Sequence, residues 1–142
     1  LCQPAPVAAG QTAQAQAVVQ ASMKKAHEIK VPMNIAVMDA GGNLKAFARM
    51  DDAFIGSIDI AQKKAKTARY FNMSTRDLGK ASQPGGELYG IEVTNNGLAI
   101  FAGGVLLVNK AGVIVGSVGV SGGSVDEDES VAKAGAAALP SR

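Results

Sequence analysis

The chain is poor in the residues that most metal and nucleophile chemistry relies on. Its 142 residues contain one cysteine, Cys2, and one histidine, His27. No internal disulfide can form, and no tetrahedral Cys/His zinc site can be assembled within one copy. Ser–His–Asp catalysis is open only to His27, and a Cys–His pair requires Cys2 to fold back from the start of the chain. With 4 Phe, 2 Tyr and no Trp, the stacking platforms of single-stranded nucleic-acid binding are missing. A net charge of +2 is too small for the phosphate attraction on which non-specific nucleic-acid binding runs. No apolar run of about eighteen residues occurs, so no segment reads as a membrane-spanning helix.

What is present is the balance of one globular domain, 47% hydrophobic and 18% charged. A chain this long buries roughly 70% of the surface it exposes when unfolded, so a metal is not needed for folding. Residues 1–11 are small, Pro-containing and uncharged, and are expected to be a flexible N-terminal segment ahead of a single domain over 12–142. Such a segment is compatible with the remnant of an export signal, hence a periplasmic or extracellular location, and equally with an ordinary frayed terminus in a cytoplasmic protein.

Apolar residues at helical spacing from Ala15 to Ile29 predict a first helix beginning at Thr12, stopped by Val31-Pro32. Met33–Asp39 and Leu44–Met50 read as strands joined by the turn Ala40-Gly41-Gly42-Asn43. Ile55, Ile58, Ala61, Ala65, Ala68 and Phe71 mark a second helix, with Asp59, Lys63, Lys64, Lys66 and Arg69 on its exposed side. Ser74 is the expected N-cap of a short third helix, and Gln83–Gly90 a loop. Leu98–Phe101, Val105–Val108 and Val113–Val120 read as three more strands. Ser124 and Glu127 form a capping box before a last helix with an acidic first turn. The sum is an α+β domain with a mostly antiparallel five-stranded sheet and flanking helices.

Chemistry-bearing groups are few. Ser121-Gly122-Gly123-Ser124 lies between a strand and a helix start, but the acidic residues that follow oppose an anion, and turn geometry explains the glycines. Gly103-Gly104 beside Phe101 suggests a bulge or a surface that a ligand approaches closely. His27, near the end of the first helix, has the chemistry to coordinate a metal or haem iron; the plain alternative is a partly exposed histidine near a helix C-terminus. The five methionines, Met50 among them, can supply thioethers or a soft apolar lining, or simply fill the core. No general acid or base can be named.

The string Met33–Leu44 (MNIAVMDAGGNL) with Arg49-Met50-Asp51 resembles the hallmark hairpin of the GlcG/HbpS family. Three further segments agree in order: Ser57–Ala61 with Lys64-Ala65, Gln83–Gly86 with Leu88-Tyr89-Gly90, and Val115–Gly123. The resemblance implies a profilin-like or PAS-like domain that assembles into homo-oligomers, often octamers. Some relatives bind haem, with links to haem sensing, iron binding and haem degradation, and the C-terminal domain of the PduO cobalamin adenosyltransferases is similar. The resemblance therefore implies haem as cofactor, with His27 as iron ligand and Lys24, Lys25 and Arg49 as propionate partners by charge. Met50, Gly86 and Gly104 complete the cofactor-binding candidates.

Two other readings stand beside the haem one. An enzyme or accessory domain acting on glycolate, a diol or a corrinoid would use a glycine-lined pocket near Asp39, Asp59, Gly86 and Gly104. A purely structural assembly module would set the basic second helix against the acidic last helix of another copy. A fold alone does not decide among these.

Overall fold

The computed structural model describes residues 10–140. Nine of the eleven residues of the expected N-terminal segment, Cys2 included, lie outside the described residues. Its last two belong to α1 (Gly10–Ile29), which begins two residues earlier than the apolar spacing predicts. There follow β1 (Asn34–Asp39), β2 (Leu44–Arg49), α2 (Gly56–Phe71), α3 (Thr75–Ala81), a single 3-10 turn at Ile91–Val93, β3 (Gly104–Val108), β4 (Ile114–Ser121) and α4 (Val125–Ala137).

The sheet has four strands in the order β2-β1-β4-β3, every neighbouring pair antiparallel. The expected strand over Leu98–Phe101 does not form. Leu98 and Ala99 are buried as their apolar character requires. Their backbone, however, is satisfied by side-chain and turn partners: Ala99 N–H donates to Thr67 Oγ1 at 3.0 Å and Leu98 N–H to the Glu92 carbonyl at 2.9 Å. An apolar run needs burial and filled hydrogen bonds, and a ladder is only one way to fill them.

Period-two alternation along β1 sorts the two faces of the sheet. Ile35 and Val37, with Val118 and Val120 of β4 and Val105 and Leu107 of β3, face α1 and α4. Removing each such side chain from water contributes about 1.5–3 kcal/mol, which makes this layer the main stabilising element. The helices cross closely: Ser22 Oγ donates to the Val131 carbonyl at 2.9 Å, and a Cβ at Gly135 would stand 2.2 Å from that hydroxyl. On the opposite face Ala36 and Met38 meet Ala61 and Ala65 of α2. That contact depends on missing side chains, because a Cβ at Gly119 would lie 2.1 Å from the Ala61 carbonyl oxygen.

Both hairpin tips lie at one end of the sheet and use the same turn. Asp39 Oδ1 accepts from the N–H groups of Gly41 and Asn43, and Asn109 Oδ1 from those of Ala111 and Val113. Gly42 and Gly112 hold matching φ values of 78° and 79°. The predicted caps form as well: Ser74 Oγ accepts from Asp77 N–H, and Ser124 and Glu127 make a complete capping box.

Lys64 corrects the reading of α2 as a helix with all its basic residues outside. Its side chain is fully buried against Gly103 and Phe101, donating to the Val120 carbonyl and to Asp128 Oδ2, each at 2.9 Å. The basic helix and the acidic helix thus meet inside one chain. Arg76 of α3 adds to this by pairing with Asp126 and Glu129.

Candidate functional site

The opposite end of the sheet, where α1 runs out and β1 begins, carries the candidate site. Helix α1 ends in a Schellman closure: Val31 N–H donates to the Ala26 carbonyl and Lys30 N–H to that of His27, both at 3.1 Å. The closure places Lys30 at φ 61°, a left-handed conformation that glycine normally takes. It spends the His27 carbonyl and turns the chain through Val31-Pro32 into β1. The His27 side chain stays exposed, and none of the ion pairs among the described residues involves it.

A hollow of about 480 Å³ opens beside that turn. Met23, Ala26, Val31, Pro32 and Met50 give it an apolar floor, while His27, Lys30, Arg49 and Asp51 supply polar groups. The far wall is fixed from below. Met50 N–H donates to the Met33 carbonyl at 3.0 Å, and the buried Asn34 donates through Nδ2 to the Phe54 carbonyl at 3.0 Å. A few residues further along the chain, Phe54 and Ile55 are 70% and 78% exposed.

Three of the predicted site residues, His27, Arg49 and Met50, line the same hollow, although 22 positions separate the histidine from the arginine. Lys24 is exposed on α1 but is not part of the lining. Gly86 and Gly104 lie elsewhere. A Cβ at Gly86 would meet the Ala81 carbonyl oxygen at 2.4 Å, so this glycine serves its own turn. A Cβ at Gly104 would meet the Lys64 carbonyl oxygen at 2.4 Å, and its N–H donates to Thr75 Oγ1. The close approach expected at Gly103-Gly104 is therefore made by helix α2, not by a ligand.

Of the residues suggested for a glycine-lined pocket, Asp59, Gly86 and Gly104 do not line the hollow beside His27, and neither does Asp39. Asp59 pairs with Lys63 one turn on, and Asp39 is occupied with its hairpin turn. Lys30 and Asp51 are site residues that sequence reading missed. Residue identity gives no hint of Lys30, because the left-handed closure is normally announced by a glycine.

Chemically, the hollow offers an imidazole, two thioethers, two exposed cations and one carboxylate around an apolar floor. That donor set suits a flat apolar guest carrying carboxylates and an azophilic metal centre. Among the described residues no three His, Cys, Asp or Glu side chains group as a bare metal site would require.

Residues 11–137 match the family model described as haem degrading protein HbpS-like. The chain belongs to the HbpS-like family. This HbpS-like chain is 44% identical over 121 residues to an uncharacterised 15.0 kDa protein of the dhaT-dhaS intergenic region of Citrobacter freundii, a match covering 85% of each. Its fold superposes on the crystal structure of Klebsiella pneumoniae protein ORFY with a TM-score of 0.88 at 36% identity, covering 98% of this chain and 96% of that one. It is also similar to the crystal structure of a PduOC:heme complex, with a TM-score of 0.84 and 33% identity over 89% of this chain and 92% of the other. The HbpS-like chain thus has a haem-bound structural neighbour.

Proposed function

We propose that this protein binds haem in the hollow beside His27 and acts as a haem-sequestering homo-oligomer. The observation that carries the reading is the convergence of its only histidine with an apolar floor and two cations, in a chain of the HbpS-like family. Met23, Val31 and Met50 would form the apolar bed for the ring, His27 would offer a nitrogen to the iron, and Arg49 and Lys30 would meet the propionates. Bound haem would supply a redox-active iron, which the chain's own residues hold and orient.

Oligomer formation follows from what one copy leaves open. The open hollow would leave part of such a guest uncovered, and Phe54 and Ile55 stand in solvent at a cost that a second copy would relieve.

Titration of purified apo-protein with haemin, read at the Soret band, tests the reading together with light scattering. A saturable red-shifted band at micromolar protein that disappears in His27→Ala is expected. A featureless titration, or a band unchanged in His27→Ala, would overturn the assignment of this hollow. Repeating the titration with ascorbate separates storage from degradation: sequestration predicts a Soret band that persists.

A further inference from the structure

A second cavity, larger than the hollow beside His27, lies away from it at the hairpin-tip end of the sheet. About 960 Å³ opens there, where α1 begins and α4 ends over the sheet. Its floor is the margin of the main core, Val37, Leu107 and Val115, and its walls are Ala15, Ala136 and Leu139. Gln14 Nε2 donates to the Pro140 carbonyl at 2.8 Å, tying the start of α1 to the segment after α4 across one side.

Charge at the mouth has one sign to spare. Lys45 on β2 and Lys110 on the β3–β4 turn both line the cavity, and neither enters an ion pair among the described residues. The one carboxylate there, Asp39, directs Oδ1 at two backbone N–H groups of its own turn, and one carboxylate offsets only one of the two lysines. A cavity of this volume with an apolar floor is of ordinary ligand-binding size.

From this arrangement we infer that the cavity is a second binding site, for an amphipathic anion whose apolar body lies on Val37, Leu107 and Val115 and whose carboxylate or sulfonate meets Lys45 and Lys110. The site is separate from the hollow beside His27 and does not depend on haem binding there. An apolar body without the anionic head is held less well, because the two lysines remain solvated at the rim.

The probe is anilinonaphthalene sulfonate, which carries both features and fluoresces when its rings leave water. Saturable binding is expected, reversed by decanoate at about a tenth of the concentration that decanol needs. The surface substitutions Lys45→Glu and Lys110→Glu, made together, are expected to weaken the probe by about tenfold or more with the thermal midpoint unchanged. Ala136→Phe, which fills the wall, is expected to block it, and His27→Ala to leave it untouched. Several outcomes would overturn the inference: no saturable binding, equal displacement by decanoate and decanol, or indifference to the lysine changes in a folded protein. Stoichiometric displacement of the probe by haemin would do so as well. Fluorescence that rises on dilution would identify the face as a contact between copies and would equally overturn it.

Discussion

The ammonium of Lys64 on α2 lies 2.9 Å from Asp128 Oδ2 on α4, with the two side chains only 0% and 3% exposed. The pair spans the end of β4, since Lys64 also donates to the Val120 carbonyl and Asp128 Oδ1 accepts from Gly123 N–H. Burial is the dominant influence on both groups: it pulls Lys64 below its ordinary value and pushes Asp128 above its own, against their mutual attraction. Desolvation therefore outweighs the charge pairing. Removing one partner, as in Asp128→Ala, is expected to cost about 3–5 kcal/mol, whereas Lys64→Met with Asp128→Leu is expected to be neutral or stabilising. Urea denaturation of the two variants and the natural chain checks the ordering.

The same pair carries a pH signature. Asp128 keeps its proton in the folded chain at pH values where the unfolded chain has lost it, so its contribution falls as pH rises through and above 3.8. Lys64 releases its proton more readily when folded, so its contribution rises as pH approaches 10.5 from below. Relative to the double apolar variant, the natural chain is expected to fare worst near neutrality and to gain toward both ends. Denaturation midpoints of the two proteins at about pH 4, 7 and 10 test this, and a difference that does not move with pH would exclude it.

Close packing of α2 on the sheet makes a second kind of demand. Substituting Gly119→Ala places a methyl 2.1 Å from the Ala61 carbonyl oxygen and 2.4 Å from the Ala65 nitrogen, both backbone atoms. Helix and sheet must separate to admit it, at an expected cost of about 3 kcal/mol or more. Gly56→Ala, at the start of α2 with nothing within 4 Å, is the control and is expected to be neutral or slightly stabilising. Thermal midpoints of the two variants give the comparison directly.

These contrasts show where the sequence was legible. Turns and caps follow local rules, so the two hairpins, Ser74 and Ser124 could be placed from residue identity alone. Buried helices were legible only in outline, because Lys64 breaks the pattern: a lysine on a helix flank is normally solvated, and here the Val120 carbonyl and Asp128, 56 and 64 positions away, partner it inside. Leu98–Phe101 reads as a strand because apolar runs signal burial, and it fails because Thr67 and Glu92 satisfy its backbone instead. At the candidate site, His27, Arg49 and Met50 were recoverable from chemistry and family resemblance. Which lysine joins them was not, since helix phase leaves Lys24 outside while the left-handed closure brings in Lys30.

That distinction can be measured. Arg49→Ala removes a cation that lines the hollow and is expected to weaken haemin binding about fivefold, equivalent to about 1 kcal/mol for a partly exposed charge contact. Lys24→Ala removes an exposed charge outside the lining and is expected to change the dissociation constant less than twofold. Raising the salt concentration should narrow the gap between the variants, because both contacts are open to solvent. Equal losses in the two variants would show that general positive charge, not the hollow, attracts the propionates.

Lys30 ties strain to the same site. A non-glycine residue at φ 61° costs about 1–2 kcal/mol, and here it closes the turn that presents His27. Lys30→Gly removes that cost and retains both closing hydrogen bonds, so the variant is expected to be more stable by about 1 kcal/mol. It also removes a cation from the rim, so haemin is expected to bind more weakly while the Soret position, set by the iron ligand, stays where it is. Lys30→Asn, which tolerates the left-handed conformation but lacks the charge, should lose affinity to the same degree with a smaller gain in stability. If Lys30→Gly gains stability with haemin affinity unchanged, the strained lysine belongs to the turn alone and Arg49 is the hollow's working cation.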